Sequence, residues 1–214
     1  MKSSKTARTS EQDPRIAFFD EKAERWDSED SGGLGIPARL EQHRELLALS
    51  PGQDLLEVGC GTGKTTAWLA EQVAPGRVTA VDFAPRMLAQ ARTKQIDADF
   101  HRLDVCRDAL GEGLYDVVFC FHCFPHFRDQ PAALSNLARA MRPEGRLIVM
   151  HLAGSERINH FHSSIEGPVA GDVLPRGSAW PALLEGAALG PALLLDQDDL
   201  FFLEARKVPR RRRA

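Results

Sequence analysis

The sequence is poor in features that mark several protein classes, and each shortage excludes something. Four cysteines in 214 residues are too few for a disulfide scaffold, so a reducing, cytoplasmic setting fits the chain. No run of about 18 apolar residues occurs, which argues against a membrane-spanning helix. A formal net charge of -3 lacks the basic excess expected of a general nucleic-acid binder. Met1 to Ser10 has no apolar core and so does not read as a secretory signal. It carries Lys2, Lys5 and Arg8 among hydroxyl residues. Residues 1–13 read as a disordered tail, with a transit peptide as the alternative. The far end, 209–214, reads as a short basic tail. Aromatic content is low and no internal repeat is visible. The length suffices for one α/β domain with a real core.

What is present is concentrated in one stretch, Leu55-Leu56-Glu57-Val58-Gly59-Cys60-Gly61-Thr62-Gly63-Lys64-Thr65-Thr66. An apolar run of strand length meets three alternating glycines, and a helical pattern follows. At such a junction backbone N–H groups point at a ligand and glycines allow its close approach. Three readings compete. A phosphate-binding P-loop needs a glycine five positions before Gly63, where Val58 stands. A dinucleotide fingerprint needs a small residue at Lys64. The pattern E-x-G-x-G-x-G is matched in full by Glu57, Gly59, Gly61 and Gly63.

That third pattern resembles the first motif of the class I S-adenosylmethionine-dependent methyltransferases, and the resemblance extends over residues 14–208. It implies a Rossmann-like, doubly wound and mostly parallel seven-stranded sheet with an antiparallel terminal strand. It also implies S-adenosyl-L-methionine as cofactor. Gly59, Cys60, Gly61 and Gly63 are then expected to bend around the methionine part, and Glu57 to support the loop.

Helical periodicity begins at Pro14, with Ile16, Phe19, Ala23 and Trp26 on one face. Residues 14–49 resemble the family's helical cap, which folds over cofactor and substrate and makes Phe19 and Trp26 candidate substrate contacts. A plain amphipathic helix is the alternative. Ser31-Gly32-Gly33-Leu34-Gly35 reads as a flexible break, and Pro37 opens a helix to about residue 49.

A second strand over 77–81 ends on Asp82, about 20 residues past the glycines, where a Rossmann-like unit places a carboxylate on ribose hydroxyls. The alternative for Asp82 is a helix N-cap. Phe83 is placed to pack on the adenine and Met87 turns inward. A short third strand, 99–103, leads to Asp104 and Val105, which the resemblance assigns to the adenine edge; the alternative is a surface turn. A fourth strand, 115–120, is mostly apolar, as expected of a buried parallel strand. Its end, Cys120-Phe121-His122, is expected beside the cofactor. A helix carrying Leu134, Leu137, Ala138 and Met141 precedes a fifth strand at 146–150. Glu144 stands where the family usually has a glycine. Residues 151–178 form a long polar connection, read as a substrate-side insertion. A last helix, 180–189, precedes a terminal hairpin pairing 192–195 with 200–203.

Five of the seven histidines follow Cys120. His122, His126, His151 and His160 are candidate substrate contacts, and His126 and His151 are candidate proton acceptors. Alternatives are loop histidines without a role, or metal ligands such as His160-x-His162. The zinc pattern is incomplete, so no metal is expected. Methyl transfer asks mainly for alignment of nucleophile and methyl, and a catalytic side chain is not obligatory. The functional reading is methyl transfer to a small molecule, similar to the branch that includes quinone-biosynthesis methyltransferases. The alternatives are a non-catalytic protein binding S-adenosylmethionine or S-adenosylhomocysteine, and an NAD-dependent oxidoreductase. Oligomeric state is not legible.

Overall fold

The computed structural model describes residues 13–28 and 35–208. The expected tails lie outside the described residues, apart from Asp13, and so does the glycine break, apart from Gly35. Asp13 caps the first helix, α1 (Pro14–Lys22): its carboxylate accepts from the Arg15 N–H, and Pro14 occupies a position where no N–H is needed. The predicted helix over 37–49 is instead two short pieces, α2 (Ile36–Gln42) and α3 (Arg44–Leu47). The His43 N–H bonds to Leu40, one residue short of a helical repeat, which breaks the run.

A seven-stranded sheet follows in the order β3-β2-β1-β4-β5-β7-β6. Its parallel part comprises β1 (Leu55–Val58), β2 (Val78–Asp82), β3 (Asp99–Arg102), β4 (Tyr115–Phe121) and β5 (Met141–His151). It is joined by α4 (Thr66–Val73), α5 (Pro85–Thr93) and α6 (Gln130–Ala140). Strand β7 (Leu200–Lys207) runs antiparallel between β5 and β6 (Leu189–Gln197). The terminal hairpin is therefore longer than the sequence suggested, and β7 is the strand of reversed direction.

Two other elements depart from expectation. Strand β5 starts at Met141, opposite Tyr115, and resumes at Arg146, opposite Val117. The stretch Arg142-Pro143-Glu144-Gly145, whose Pro and Gly read as a turn before the fifth strand, is thus a bulge within a strand. Inside the long connection at 151–178 lies α7 (Ser155–Ser164), anchored where the Ser155 N–H and hydroxyl donate to Asp196 at 2.8 and 2.5 Å. Helix α8 (Trp180–Gly186) then leads into β6.

Alternation along β1 sends Leu56 and Val58 to one face, with Leu134, Leu137 and Trp180, and Leu55 to the other, with Trp68, Leu69 and Phe119. Burying each such side chain contributes about 1.5–3 kcal/mol. A third cluster packs Phe19 and Ala23 of the N-terminal segment on Ala84, Met87 and Val169. This contact lays α1 across the carboxyl edge of the sheet. Among the described residues no helix is long and apolar enough to cross a membrane.

Candidate cofactor and acceptor site

Strand β1 delivers the glycine loop to the carboxyl edge, beside a cavity of about 740 Å³, a size suited to a small ligand. Glu57 sits behind the loop rather than in the cavity wall. It is buried, and the Thr65 and Thr66 hydroxyls donate to it, the second at 2.6 Å. Burial pushes its carboxyl up to about 7 against those hydroxyls. Gly59 turns the chain at φ 66° against Cys123, whose thiol donates to the Val58 carbonyl at 3.1 Å. Gly63 packs toward Ile96 and Ala91, away from the cavity.

The end of β2 places Asp82 in the wall. One carboxylate oxygen accepts from the Gly61 N–H and the other from the Ala84 N–H, both at 2.8 Å. Burial raises this carboxyl to about 6, against the backbone donors. Phe83 and Met87 line the same end of the cavity, and so do Asp104 and Val105 after β3. One Asp104 oxygen accepts from the Cys106 N–H at 2.9 Å. The groups present fit a nucleoside with a charged tail: a glycine-rich loop, an acid at each of two neighbouring strand ends, and an apolar slot between them.

The other half of the cavity is walled by Phe121, His122, His126, His151 and α7. Phe19 and Trp26 line the cavity from the N-terminal segment, Phe19 between Phe83 and His126 and Trp26 beside Gly61. The His122 backbone is left-handed (φ 53°), and its Nε2 accepts from the Leu152 N–H at 3.2 Å. An accepting Nε2 leaves the proton on Nδ1. His151 stands 5.1 Å from it, ring to ring. Burial holds His151 well below the usual histidine range, with the neighbouring histidines adding to the effect, and its buried Nε2 has no partner. His126 Nδ1 lies 2.7 Å from Asp172, which also pairs with Arg15 at 2.5 Å.

Four residues predicted from the sequence are not in the cavity wall: Glu57 and Gly63, which shape the loop, and Cys120 and His160. Cys120 is fully buried within β4, between Val58 and Val149 of the flanking strands, and the chain meets the cavity from the next residue on, at Phe121, His122 and Cys123. His160 is on the exposed face of α7, while His162, two residues on, turns inward. Among the described residues no three His, Cys, Asp or Glu side chains converge as a metal-binding group. Sequence reasoning missed Asp172 and Arg15. Asp172 lies in an aperiodic loop whose only local signal is the preceding Gly171.

Residues 56–149 match the family model described as a methyltransferase domain. Residues 56–149 are thus a methyltransferase domain of the class I, S-adenosylmethionine-dependent kind. A biotin biosynthesis bifunctional protein BioCD from Bordetella avium is 33% identical over 147 residues, 68% of this chain and 31% of that protein. A ubiquinone biosynthesis O-methyltransferase from Xylella fastidiosa is 33% identical over 118 residues, 53% of this chain and 47% of that one. The chain thus spans less than half the length of these curated relatives. A solved SAM dependent methyltransferase from Aquifex aeolicus shares the fold, with a TM-score of 0.65 at 19% identity over 91% of this chain and 97% of that one. In this chain the acid-and-glycine motif forms the loop that closes one end of the cavity.

Proposed function

We propose that this protein transfers a methyl group from S-adenosylmethionine to a small-molecule acceptor bound in the same cavity. The observation that carries the reading is the division of one cavity into two chemistries. Loop glycines and strand-end acids form one half; apolar rings and histidines form the other. Asp82 takes the ribose hydroxyls, Asp104 and Val105 take the adenine edge with Phe83 and Met87 beside it, and the Gly59-Cys60-Gly61 backbone faces the methionine part. The acceptor lies among Phe19, Trp26, His122, His126 and His151.

The bound cofactor supplies an activated methyl on a sulfonium, so the protein's task is alignment and exclusion of water. The described parts of the cap, 14–28 and 35–49, and the segment 151–178 close the acceptor half. Small-molecule relatives and the net charge of -3 support a small acceptor over a nucleic acid. All four cysteines are free thiols, which supports a reducing, cytoplasmic setting.

The test is calorimetric titration with S-adenosylhomocysteine, with NAD in a parallel cell. Micromolar binding of the first and none of the second is expected. Binding of NAD alone overturns the reading. Binding of S-adenosylhomocysteine without methyl transfer to any small acceptor favours a non-catalytic binding protein.

A further inference from the structure

Asp172 organises the acceptor half of the cavity although it lies outside the cavity wall. Its carboxylate side chain is 4% exposed and has two partners from distant parts of the chain. Arg15 of α1 donates to both oxygens, at 2.5 and 3.3 Å. His126, in the turn after β4, places Nδ1 2.7 Å from Oδ2. The Asp172 backbone carbonyl lies 2.8 Å from His162 Nδ1. A carbonyl only accepts, so His162 carries its proton on Nδ1. A carboxylate likewise only accepts, so His126 carries a proton on Nδ1 too. One residue therefore sets two imidazoles in the same tautomer, rings 5.1 Å apart, both lining the cavity. Each has Nε2 as its remaining nitrogen, with a lone pair.

The charges around His126 keep this arrangement intact. Burial raises the Asp172 carboxyl, but the bonds from His126 and Arg15 hold it below the ordinary carboxylate range. Burial holds His162 below its ordinary value, with His126 adding to the effect. The titratable and charged groups facing His126 are Asp172, Arg15 behind it, His162 beside it, and, further off, His122 and His151, the latter held neutral by burial. The Phe19 ring covers another side at 5.2 Å.

We infer that the acceptor is a phenol-type hydroxyl, that His126 Nε2 takes its proton, and that Asp172 is the positioning residue that keeps Nε2 free to do so. The inference rests on the methyl-transfer reading. A carboxylate acceptor is already an anion and needs no base, and a neutral amine needs to lose its proton only after transfer. A phenol, with a pKa near 10 as in tyrosine, is within reach of an imidazole base; an aliphatic alcohol is a far weaker acid. A flat ring also matches the walls at Phe19, Phe121, Ile158 and Phe161, the last 57% exposed at the mouth. In the step, the phenol O–H bond breaks and an N–H bond forms at His126 Nε2. The acceptor oxygen then bonds the methyl carbon as the methyl–sulfur bond breaks, its electron pair remaining on the sulfur, now a neutral thioether. His126 returns its proton to water after the products leave.

The test uses 4-nitrocatechol, whose absorbance reports its own ionisation, bound to the full chain saturated with S-adenosylhomocysteine. In the wild type, bound probe ionises at least one pH unit below free probe. In His126→Asn and Asp172→Asn that shift disappears, and Asp172→Glu restores part of it. Long-range nitrogen NMR of the histidines shows His126 protonated on Nδ1 in the wild type and on Nε2 in Asp172→Asn. With S-adenosylmethionine, both Asn variants lose about 10²–10⁴-fold in turnover of catechol, and less with 4-nitrocatechol, which arrives partly ionised. An unshifted probe in the wild type, an equal shift in both Asn variants, or equal losses on the two catechols overturns the inference. Intact S-adenosylhomocysteine binding with no catechol bound or methylated overturns the phenol class and leaves the cofactor reading standing. Failure to bind S-adenosylhomocysteine overturns both.

Discussion

Gly59 and Cys123 are packed so closely that a β-carbon on Gly59 would stand 2.5 Å from the Cys123 β-carbon and 3.0 Å from its sulfur. The contact joins the first turn of the glycine loop to the turn after β4, and so joins the two halves of the cavity. Gly59→Ala meets both this clash and a left-handed φ of 66°, which alone costs a non-glycine about 1–2 kcal/mol. The expected outcome is a lower midpoint in urea and weaker binding of S-adenosylhomocysteine. Adding Cys123→Gly removes the clash and restores part of the midpoint. If the double variant is no more stable than the single one, the contact is not what limits this position.

Glu57 gives a pH signature. Its carboxyl is raised from 4.5 to about 7 because burial penalises the charge. The folded state therefore holds a proton that the unfolded state has released between pH about 4.5 and about 7, and stability contributed by Glu57 falls as pH rises through that window. Glu57→Gln does not titrate. The stability difference between wild type and variant should move in the variant's favour by on the order of 3 kcal/mol across the window. Urea melts at several pH values measure it, and a difference constant from pH 4 to pH 8 rules it out.

Asp82 couples pH to cofactor affinity in the opposite sense. Only when ionised do both of its oxygens act purely as acceptors in charge-assisted bonds, and burial places its carboxyl at about 6. Wild-type affinity for S-adenosylhomocysteine should fall as pH drops below about 6. Asp82→Asn should bind about 10–100-fold more weakly at neutral pH, the loss of a charge-assisted hydrogen bond, and show a flat profile over the same range. Calorimetry at pH 5 and pH 7.5 decides it; parallel profiles in both proteins remove Asp82 from the ribose.

The cofactor half of this site was readable from local patterns because its residues follow one another along the chain. The run Leu55–Val58 is buried on both faces, so it is apolar but for Glu57, which the Thr65 and Thr66 hydroxyls satisfy, and the glycines come immediately after it. Asp82 is found by counting from them. The acceptor half was only partly readable. Cys120 looked like a strand end, yet β4 continues through Phe121, so the alternation places its side chain in the core. Helix α7 was missed because Ser155–Ser164 is mostly polar and flanked by Gly and Pro; tertiary anchoring at Asp196 decides it. Asp172 meets Arg15 across 157 positions, a pairing that periodicity cannot reveal.

The segment after α1 is tied to the glycine loop by polar contacts that can be cut one at a time. The Thr62 hydroxyl donates to Asp27 at 2.5 Å, Lys94 pairs with the other Asp27 oxygen at 2.6 Å, and Lys64 donates to the Trp26 carbonyl at 2.9 Å. Burial raises the Asp27 carboxyl, but Lys94 and Thr62 hold it below its ordinary value, so it is ionised at neutral pH. The Asp27 side chain is 46% exposed, and solvent screening limits the pair to about 1 kcal/mol or less. Asp27→Ala therefore leaves the fold intact while loosening the segment over the loop. The expected result is release of S-adenosylhomocysteine about 3- to 5-fold faster, with little change in association, because such closures act mainly on dissociation. Thr62→Val tests the same tie from the loop side and should act in the same direction, and the double variant should release the ligand no faster than the Asp27 variant alone. Unchanged dissociation in both would mean that the hydrophobic contact of Phe19 and Ala23 on Met87, rather than the Asp27 tie, holds this segment over the cofactor.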